Sequence, residues 1–167
     1  MRIENRLQLQ LWREECKEKH QKEKCRILVC GGTGCLAGGS DKIYARFKEM
    51  SEGMDHVTVK IGEEIAHPGV KMSGCHGFCE MGPLVRIEPY NYLYLKVKLE
   101  DCEEIFEKTI LRGEPVERLM YHDDHKVYET QEEIPFYAEQ TRLVLKNCGH
   151  IDAEHIEEAL QPVHMNH

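Results

Sequence analysis

Apolar residues along this chain follow strand-like and helix-like periods in turn. The run RILVC at 26–30 is short, continuous and apolar, and therefore predicts a buried strand. It leads into the glycine-rich stretch VCGGTGCLAGGS at 29–40, where Ser40 or Asp41 can cap a following helix. The apolar face of that helix would carry Ile43, Phe47 and Met50, and Gly53 would end it. The pattern predicts a strand, a glycine-rich loop and a helix.

The next sixty residues predict more strands and a second helix. HVTVKIG at 56–62 alternates apolar and polar residues, with Val57, Val59 and Ile61 on one face, as on a half-buried strand. LVRIEPYNYLYLKVKL at 84–99 alternates on both sides of a turn and predicts a β-hairpin. Residues 101–113 predict a helix that begins with a capping box of Asp101 and Glu104. The predicted core order is therefore βαβ followed by ββα.

The two ends of the chain differ from this core. Residues 4–24 are highly charged with a narrow apolar stripe, which predicts a solvated helix. After a polar connection, FYAEQTRLVLKNCG at 136–149 predicts another helix, and a last short helix could start at Asp152. We therefore predict an N-terminal helical extension at 1–24, a core domain at 25–113, and a C-terminal linker and helical tail at 114–167.

Charge and hydropathy exclude several classes of function. The 167 residues carry a formal net charge of -8 with scattered basic residues, which argues against a nucleic-acid ligand. No apolar run is long enough to span a membrane, and the charged N-terminal segment lacks the apolar stretch of a secretory signal. These features predict a cytoplasmic protein.

Eight cysteines in such a chain point to a metal or cluster site rather than to disulfides. Cys30 and Cys35 form one close pair, and Cys75 and Cys79 form another inside a predicted long loop at 63–83. Four thiolates are the common ligands of a 2Fe-2S cluster, although they also bind zinc. Glycines around both pairs favour the cluster because they admit close backbone N–H donors, and neither pair has the Cys-x2-Cys spacing of zinc ribbons or thioredoxin dithiols.

The other cysteines are predicted to be structural. Cys25 would face the side of the first strand opposite to Cys30, and Cys102 belongs to an apolar helix face. Cys16 and Cys148 are solitary. His76 lies inside the second cysteine pair and could replace a thiolate ligand, but four thiols are already present, so we interpret it as a loop residue.

The motifs CGGTGC at 30–35 and GCHGFCEMGPLVRI at 74–87 resemble those of the thioredoxin-like 2Fe-2S ferredoxins. This family includes the small iron-sulfur subunit of respiratory NADH dehydrogenase and the N-terminal domain of related flavoprotein subunits. The resemblance implies an α/β, thioredoxin-like fold with a central mixed sheet. It also implies a 2Fe-2S cluster on Cys30, Cys35, Cys75 and Cys79, and makes Gly82-Pro83 a candidate for the cis-proline turn of that fold.

A second resemblance lies in IPFYAEQTRLVLKNCGHID at 134–152, which is similar to the segment leading into the flavin domain of NADH dehydrogenase and NAD-linked hydrogenase subunits. No glycine-rich flavin or NADH loop follows it, so we predict neither FMN nor NAD binding and interpret the chain as a subunit truncated before the flavin domain. The expected function is one-electron transfer without a catalytic site of its own. The expected partners are a flavin-bearing NADH-oxidising subunit, hydrogenase-type or quinone-reducing subunits, or a second copy of the chain. The alternative is a zinc-binding structural or docking module without redox activity.

Overall fold

The computed structural model describes residues 3–22, 25–52, 59–61, 64–66 and 69–160. Within them the α-helices are α1 (Arg6–Lys22), α2 (Thr33–Ala37), α3 (Ser40–Glu52), α4 (Asp101–Ile105), α5 (Pro135–Ala138) and α6 (Ile156–Ala159). The strands are β1 (Arg26–Cys30), β2 (Val59–Ile61), β3 (Glu64–Ala66), β4 (Gly69–Ser73), β5 (Val85–Glu88), β6 (Tyr92–Tyr94), β7 (Tyr121–His122) and β8 (Val127–Tyr128). Helix α4 continues as a π-helical segment over Phe106–Ile110.

A four-stranded mixed sheet with the order β4-β1-β5-β6 forms the centre of the fold. Strand β1 runs parallel to β4 and antiparallel to β5, and every residue of β1 is buried. This burial explains why RILVC is continuously apolar after its first residue. In the parallel pair Cys30 lies opposite Ser73, so the loops that follow β1 and β4 leave the sheet at the same end.

The predicted long loop at 63–83 is wrong in its first half. Strand β4 lies there and is the parallel partner of β1, whereas β2 pairs with β3 in a separate antiparallel hairpin. Strand β4 is only partly buried over most of its length and carries Lys71 at its middle, so it lacks the apolar alternation that would have identified it. Val57 and Gly53 lie outside the described residues.

The helices that cover the sheet confirm the predicted apolar faces. Ile43 and Phe47 of α3 are buried, and the face of α4 with its π-helical continuation is buried as well. The predicted capping box is wrong, because the Asp101 carboxylate accepts a hydrogen bond from the Lys98 N–H at 2.8 Å and Glu104 contacts Lys108 and Arg118. The Glu104 carboxylate thus pairs with Lys108 and Arg118 instead of the backbone N–H groups at the start of the helix.

The C-terminal segment folds differently from the prediction. Helix α5 is only four residues long, and a series of turns replaces the predicted helix from there to 149. Leu143, Val144 and Leu145 are consecutive and exposed, so a helix through them would have no amphipathic face to bury. Helix α1 confirms the predicted N-terminal helix, and no helix in the described ranges is long and apolar enough to cross a membrane.

The segment at 147–152 crosses the end of the sheet near the second cysteine loop. The Gly74 N–H donates a hydrogen bond to the carbonyl of Ile151 at 3.3 Å, and Ser73 forms an isolated antiparallel bridge with Asp152. Farther along, Glu158 of α6 pairs with Lys71 at 2.6 Å and with Arg26 at 3.5 Å. Backbone bonds and buried ion pairs together fasten the tail to the β4 edge of the sheet.

Candidate metal centre

The parallel pairing of β1 and β4 brings both cysteine pairs to one end of the molecule. Cys30 is the last residue of β1 and Cys35 lies in α2, and both side chains are buried. Cys75 and Cys79 lie on the loop after β4 and are exposed. The site is therefore half inside the core and half at the surface.

The four thiols contact one another across the two loops. The Sγ atoms of Cys75 and Cys30 lie 2.9 and 3.5 Å from the same Cβ position on Gly32, and the thiols of Cys30 and Cys35 shift each other's pKa. The Sγ atoms of Cys75 and Cys79 lie 3.8 Å apart, and a charge on Cys79 acts on Cys35. All four sequence-predicted ligand residues thus meet in one place.

Backbone N–H groups surround these sulfur atoms. Those of Gly32 and His76 act to lower the pKa of Cys30, and that of Leu84 acts to lower the pKa of Cys35. The Gly77 N–H donates to the Cys75 Sγ at 3.4 Å. Such donors stabilise negative charge on thiolates and on iron-sulfur clusters.

Three glycines keep space open beside the thiols. A Cβ built on Gly32 would lie 2.9 Å from the Cys75 Sγ, and one on Gly82 would lie 2.7 Å from the Cys35 Sγ. A Cβ on Gly34 would lie 3.3 Å from the Cys79 Cβ. Any larger residue at Gly32 or Gly82 would displace a thiol, so close approach explains why glycine is required there. The Gly82-Pro83 peptide is cis, as the resemblance implies.

The two buried thiols titrate in opposite directions. Hydrogen bonding from the Cys35 thiol, supported by the N–H groups of His76 and Gly32, lowers the pKa of Cys30. Its hydrogen bond to Cys30, together with burial, raises the pKa of Cys35. Cys30 is therefore the first of this buried pair to supply a thiolate.

The residues present fit a 2Fe-2S cluster. The donor set is four soft thiols, the glycines leave room beside them, and N–H groups are aimed at the sulfurs. In the described part of the chain, no three His, Cys, Asp or Glu side chains are arranged to hold a single metal ion. A cluster does not need such a point of convergence, because its two irons each take two thiolates.

His76 is a buried residue of the loop rather than an additional ligand at its surface. Its Nε2 lies 2.9 Å from the Ser73 hydroxyl, and its Nδ1 lies 3.1 Å from the Gln131 amide oxygen. Burial lowers the pKa of His76 to about 4, so the imidazole is neutral near pH 7. A Cβ on Gly149 would lie 2.8 Å from the same ring, which shows how closely the tail covers it.

The remaining cysteines are separate from the site or at its margin. Cys25 and Cys102 are buried in the main apolar core, which agrees with their structural interpretation, and Cys16 is buried on α1. Cys148 is half-buried, and its Sγ lies 3.9 Å from the Cβ position of Gly74. All eight cysteines are free.

An aromatic cluster from the tail packs against the exposed cysteine loop. Phe78, between Cys75 and Cys79, stacks on Phe136 with ring centroids 4.4 Å apart and contacts Tyr137 edge-on at 5.6 Å. Tyr137 belongs to the same buried apolar cluster as Cys30 and Cys35. The tail therefore forms one wall of the site.

Sequence reasoning missed these tail residues because nothing local marks them. Gln131, Tyr137 and Gly149 lie more than fifty residues from Cys79 along the chain, and they reach the site only through the return of the tail. The glycine at 149 is the only local trace of this arrangement among the three residues: its φ of +88° favours glycine, but a glycine alone does not indicate contact with the site.

Comparison with known proteins agrees with this geometry. The family model described as thioredoxin-like 2Fe-2S ferredoxin matches residues 17–109. The chain belongs to the thioredoxin-like 2Fe-2S ferredoxins. The α/β, thioredoxin-like fold predicted from the sequence is confirmed, and the cofactor of this family is a 2Fe-2S cluster.

Individual ferredoxins show the extent of the similarity. A 2Fe-2S ferredoxin of Aquifex aeolicus is 50% identical over 86 residues, which are 52% of this chain and 71% of the relative. One from Clostridium pasteurianum is 32% identical over 98 residues, 58% of this chain and 94% of the relative. A solved thioredoxin-like 2Fe-2S ferredoxin from Aquifex aeolicus is 31% identical, with 58% of this chain and 89% of that chain covered and a TM-score of 0.47.

Proposed function

We propose that Cys30, Cys35, Cys75 and Cys79 hold the 2Fe-2S cluster with which this ferredoxin carries single electrons. The observation that supports this ligand set most strongly is the meeting of these four thiols beside Gly32 and Gly82, with the Gly77 N–H donating to the Cys75 Sγ. Bound by these four thiolates, the cluster would supply one-electron redox chemistry.

The buried and the exposed cysteines have different roles in the proposed electron transfer. The buried Cys30 and Cys35 anchor the inner side, where burial limits the access of water and helps to set the reduction potential. The exposed Cys75 and Cys79 bring the outer side to the surface, where a partner can approach. Electron exchange is therefore expected through the loop at 75–79.

We further propose that the physiological donor is a flavin-bearing NADH-oxidising subunit, within an NADH dehydrogenase or NAD-linked hydrogenase complex. The tail supports this proposal, because its sequence at 134–152 resembles the lead-in of such flavoproteins and because it packs against the exposed cysteine loop. The free thiols fit a reducing compartment, and the cytoplasm stays the predicted location.

Reduction by NADH tests the proposed donor. Anaerobic protein is mixed with NADH alone, and then with NADH and a catalytic amount of an NADH-oxidising flavin subunit, while bleaching of the visible absorption is followed. We expect bleaching only with the flavin subunit, and none in the Cys79→Ser variant. If dithionite bleaches the protein but NADH with the flavin subunit does not, the NADH part of the proposal is wrong and the electron carrier remains.

A further inference from the structure

Tyr137 carries a buried hydroxyl that the fold does not use. The side chain, on α5, is only 7% exposed. Its hydroxyl oxygen is completely buried and has no hydrogen-bond partner among the described residues. Buried hydroxyl groups are nearly always hydrogen-bonded, because a buried hydroxyl without a partner costs free energy. We therefore expect a hydrogen-bond acceptor next to the Tyr137 hydroxyl.

The position of Tyr137 limits what that acceptor can be. The side chain packs in one buried cluster with Cys30 and Cys35, on the inner side of the proposed cluster site. Phe78 and Phe136 hold the ring edge-on at 5.6 and 5.1 Å, and the Arg142 guanidinium lies 5.9 Å from its centre. The ring is thus held beside the proposed cluster site by Phe78 of the exposed cysteine loop and by two residues of the tail.

We propose that the Tyr137 hydroxyl donates a hydrogen bond to a sulfur of the bound 2Fe-2S cluster and thereby raises its reduction potential. A phenolic hydroxyl is a good donor, and the reduced cluster carries one more negative charge than the oxidised cluster. A donor therefore stabilises the reduced form more. The inference rests on the proposed ligand set, and Tyr137 lies outside the residues 17–109 that match the family model.

Removal of the hydroxyl alone provides the test. The Tyr137→Phe variant keeps the ring and its contacts with Phe78 and Phe136, and it removes no hydrogen bond formed within the described part of the chain. The matched control is Tyr128→Phe, because the Tyr128 hydroxyl belongs to the same apolar cluster but donates to the Asp123 carboxylate at 2.6 Å. The midpoint potential of each purified protein is measured by anaerobic redox titration with EPR detection.

We expect the potential of Tyr137→Phe to fall and that of Tyr128→Phe to stay near the wild-type value. The potential reports only the difference in hydrogen-bond strength between the two oxidation states, so a full hydrogen bond sets the upper bound of the fall: about a tenfold weaker reduction equilibrium, or about 59 mV for one electron. Equal potentials in the wild type and both variants would overturn the inference and would mean that water satisfies the hydroxyl.

A second measurement uses the wild-type protein in case Tyr137→Phe does not assemble its cluster. Protein grown with ring-deuterated tyrosine is reduced, and pulsed EPR is used to detect deuterons that couple to the unpaired spin. A tyrosine bonded to a cluster sulfur brings its ring deuterons within range, and their absence would overturn the inference. If the wild-type protein contains no 2Fe-2S cluster, the proposed ligand set fails first, whereas a cluster without these signals refutes only the role of Tyr137.

Discussion

The two cysteine loops differ in how the fold holds them. Cys30 and Cys35 lie at the junction of a buried strand and a short helix, and their thiols are covered by the core. Cys75 and Cys79 are exposed, and the tail holds their loop from outside the core through His76, Gly74 and the aromatic rings. One pair is supported by the sheet and the other by a later segment of the chain.

This difference separates the part of the chain that binds the cluster from the part that covers it. The buried pair depends on strands and helices that lie within the part of the chain matched by the family model. The covering of the exposed pair depends on Gln131, Tyr137 and the segment at 147–152, all of which lie beyond residue 109. We therefore expect the core to determine whether a cluster binds, and the tail to determine its potential and lifetime.

Loss of a ligand thiol should have the largest effect on the cluster spectra. This effect should be equally severe for a buried and for an exposed cysteine. We expect Cys30→Ser and Cys79→Ser each to abolish or greatly change the visible and EPR spectra, because a cluster needs two thiolates on each iron. Cys102→Ser is the control, since that thiol is buried in the main core and contacts the Lys98 carbonyl. An equal spectral loss in Cys102→Ser would show that the ligand set is wrong.

Closure of the gap between the loops should have the next largest effect. In Gly32→Ala the new methyl group would lie 2.9 Å from the Cys75 Sγ, and overpacking of this kind costs about 1–3 kcal/mol. We expect a clear fall in the iron and sulfide bound per chain. Gly74→Ala serves as the control because its methyl group would have no contact closer than 3.8 Å, and comparable loss in both variants would contradict the close approach.

A change in the tail should weaken only the exposed loop. Gly149→Ala places a methyl group 2.8 Å from the His76 ring at a residue with φ of +88°, so strain and a clash add to about 2–5 kcal/mol. We expect the cluster to assemble but to bleach faster in air, with faster hydrogen exchange at 147–152. Gly39→Ala has the same positive φ and nothing near its methyl position, so it separates strain from the clash. If both variants bleach at the same rate, the tail does not protect the site.

The smallest effect concerns pH and His150. Burial, with repulsion from Arg86, lowers the pKa of His150 to about 3, whereas the ordinary value is 6.5. Between these values the unfolded chain binds the proton and the folded chain does not, so stability is present above about pH 6.5 and is lost as the pH falls toward about 3.

Thermal melting at pH 7 and pH 5 measures this loss. We expect the wild-type protein to lose on the order of 1 kcal/mol more than His150→Gln over this interval. His76 is present in both proteins, so the difference between them reports the proton at His150 together with its electrostatic coupling to His76. A melting temperature with the same pH dependence in both proteins would show that the tail residue His150 does not couple to folding.

Much of the core could be predicted because its signals are local. The strand before Cys30, the buried face of α3 and the hairpin from Val85 to Tyr94 follow from apolar periods of a few residues. The four thiols could be paired because each pair sits in a short glycine-containing segment. The two pairs meet because β1 and β4 are parallel neighbours in the sheet. The sequence predicts a loop where β4 lies, so this pairing could not be predicted.

The rest of the site could not be predicted because it depends on long-range contacts. Strand β4 is a partly buried edge strand, so alternation did not mark it. The tail forms turns rather than the predicted helix, and its apolar residues Leu143, Val144 and Leu145 are exposed. Its path across the sheet depends on the ion pair of Glu158 with Lys71 and on the hydrogen bond from Gly74 to Ile151. Neither pairing has a signature in the local sequence.

We propose that four thiols, two from a buried loop and two from an exposed loop, hold a redox-active 2Fe-2S cluster. The most direct measurement is the absorption spectrum of protein purified without oxygen, with iron, acid-labile sulfide and zinc assayed on the same sample and EPR recorded after dithionite reduction. We expect red-brown protein with about two irons and two sulfides per chain and an S = 1/2 signal when reduced. A colourless protein with one zinc per chain would contradict it and would favour the structural zinc module.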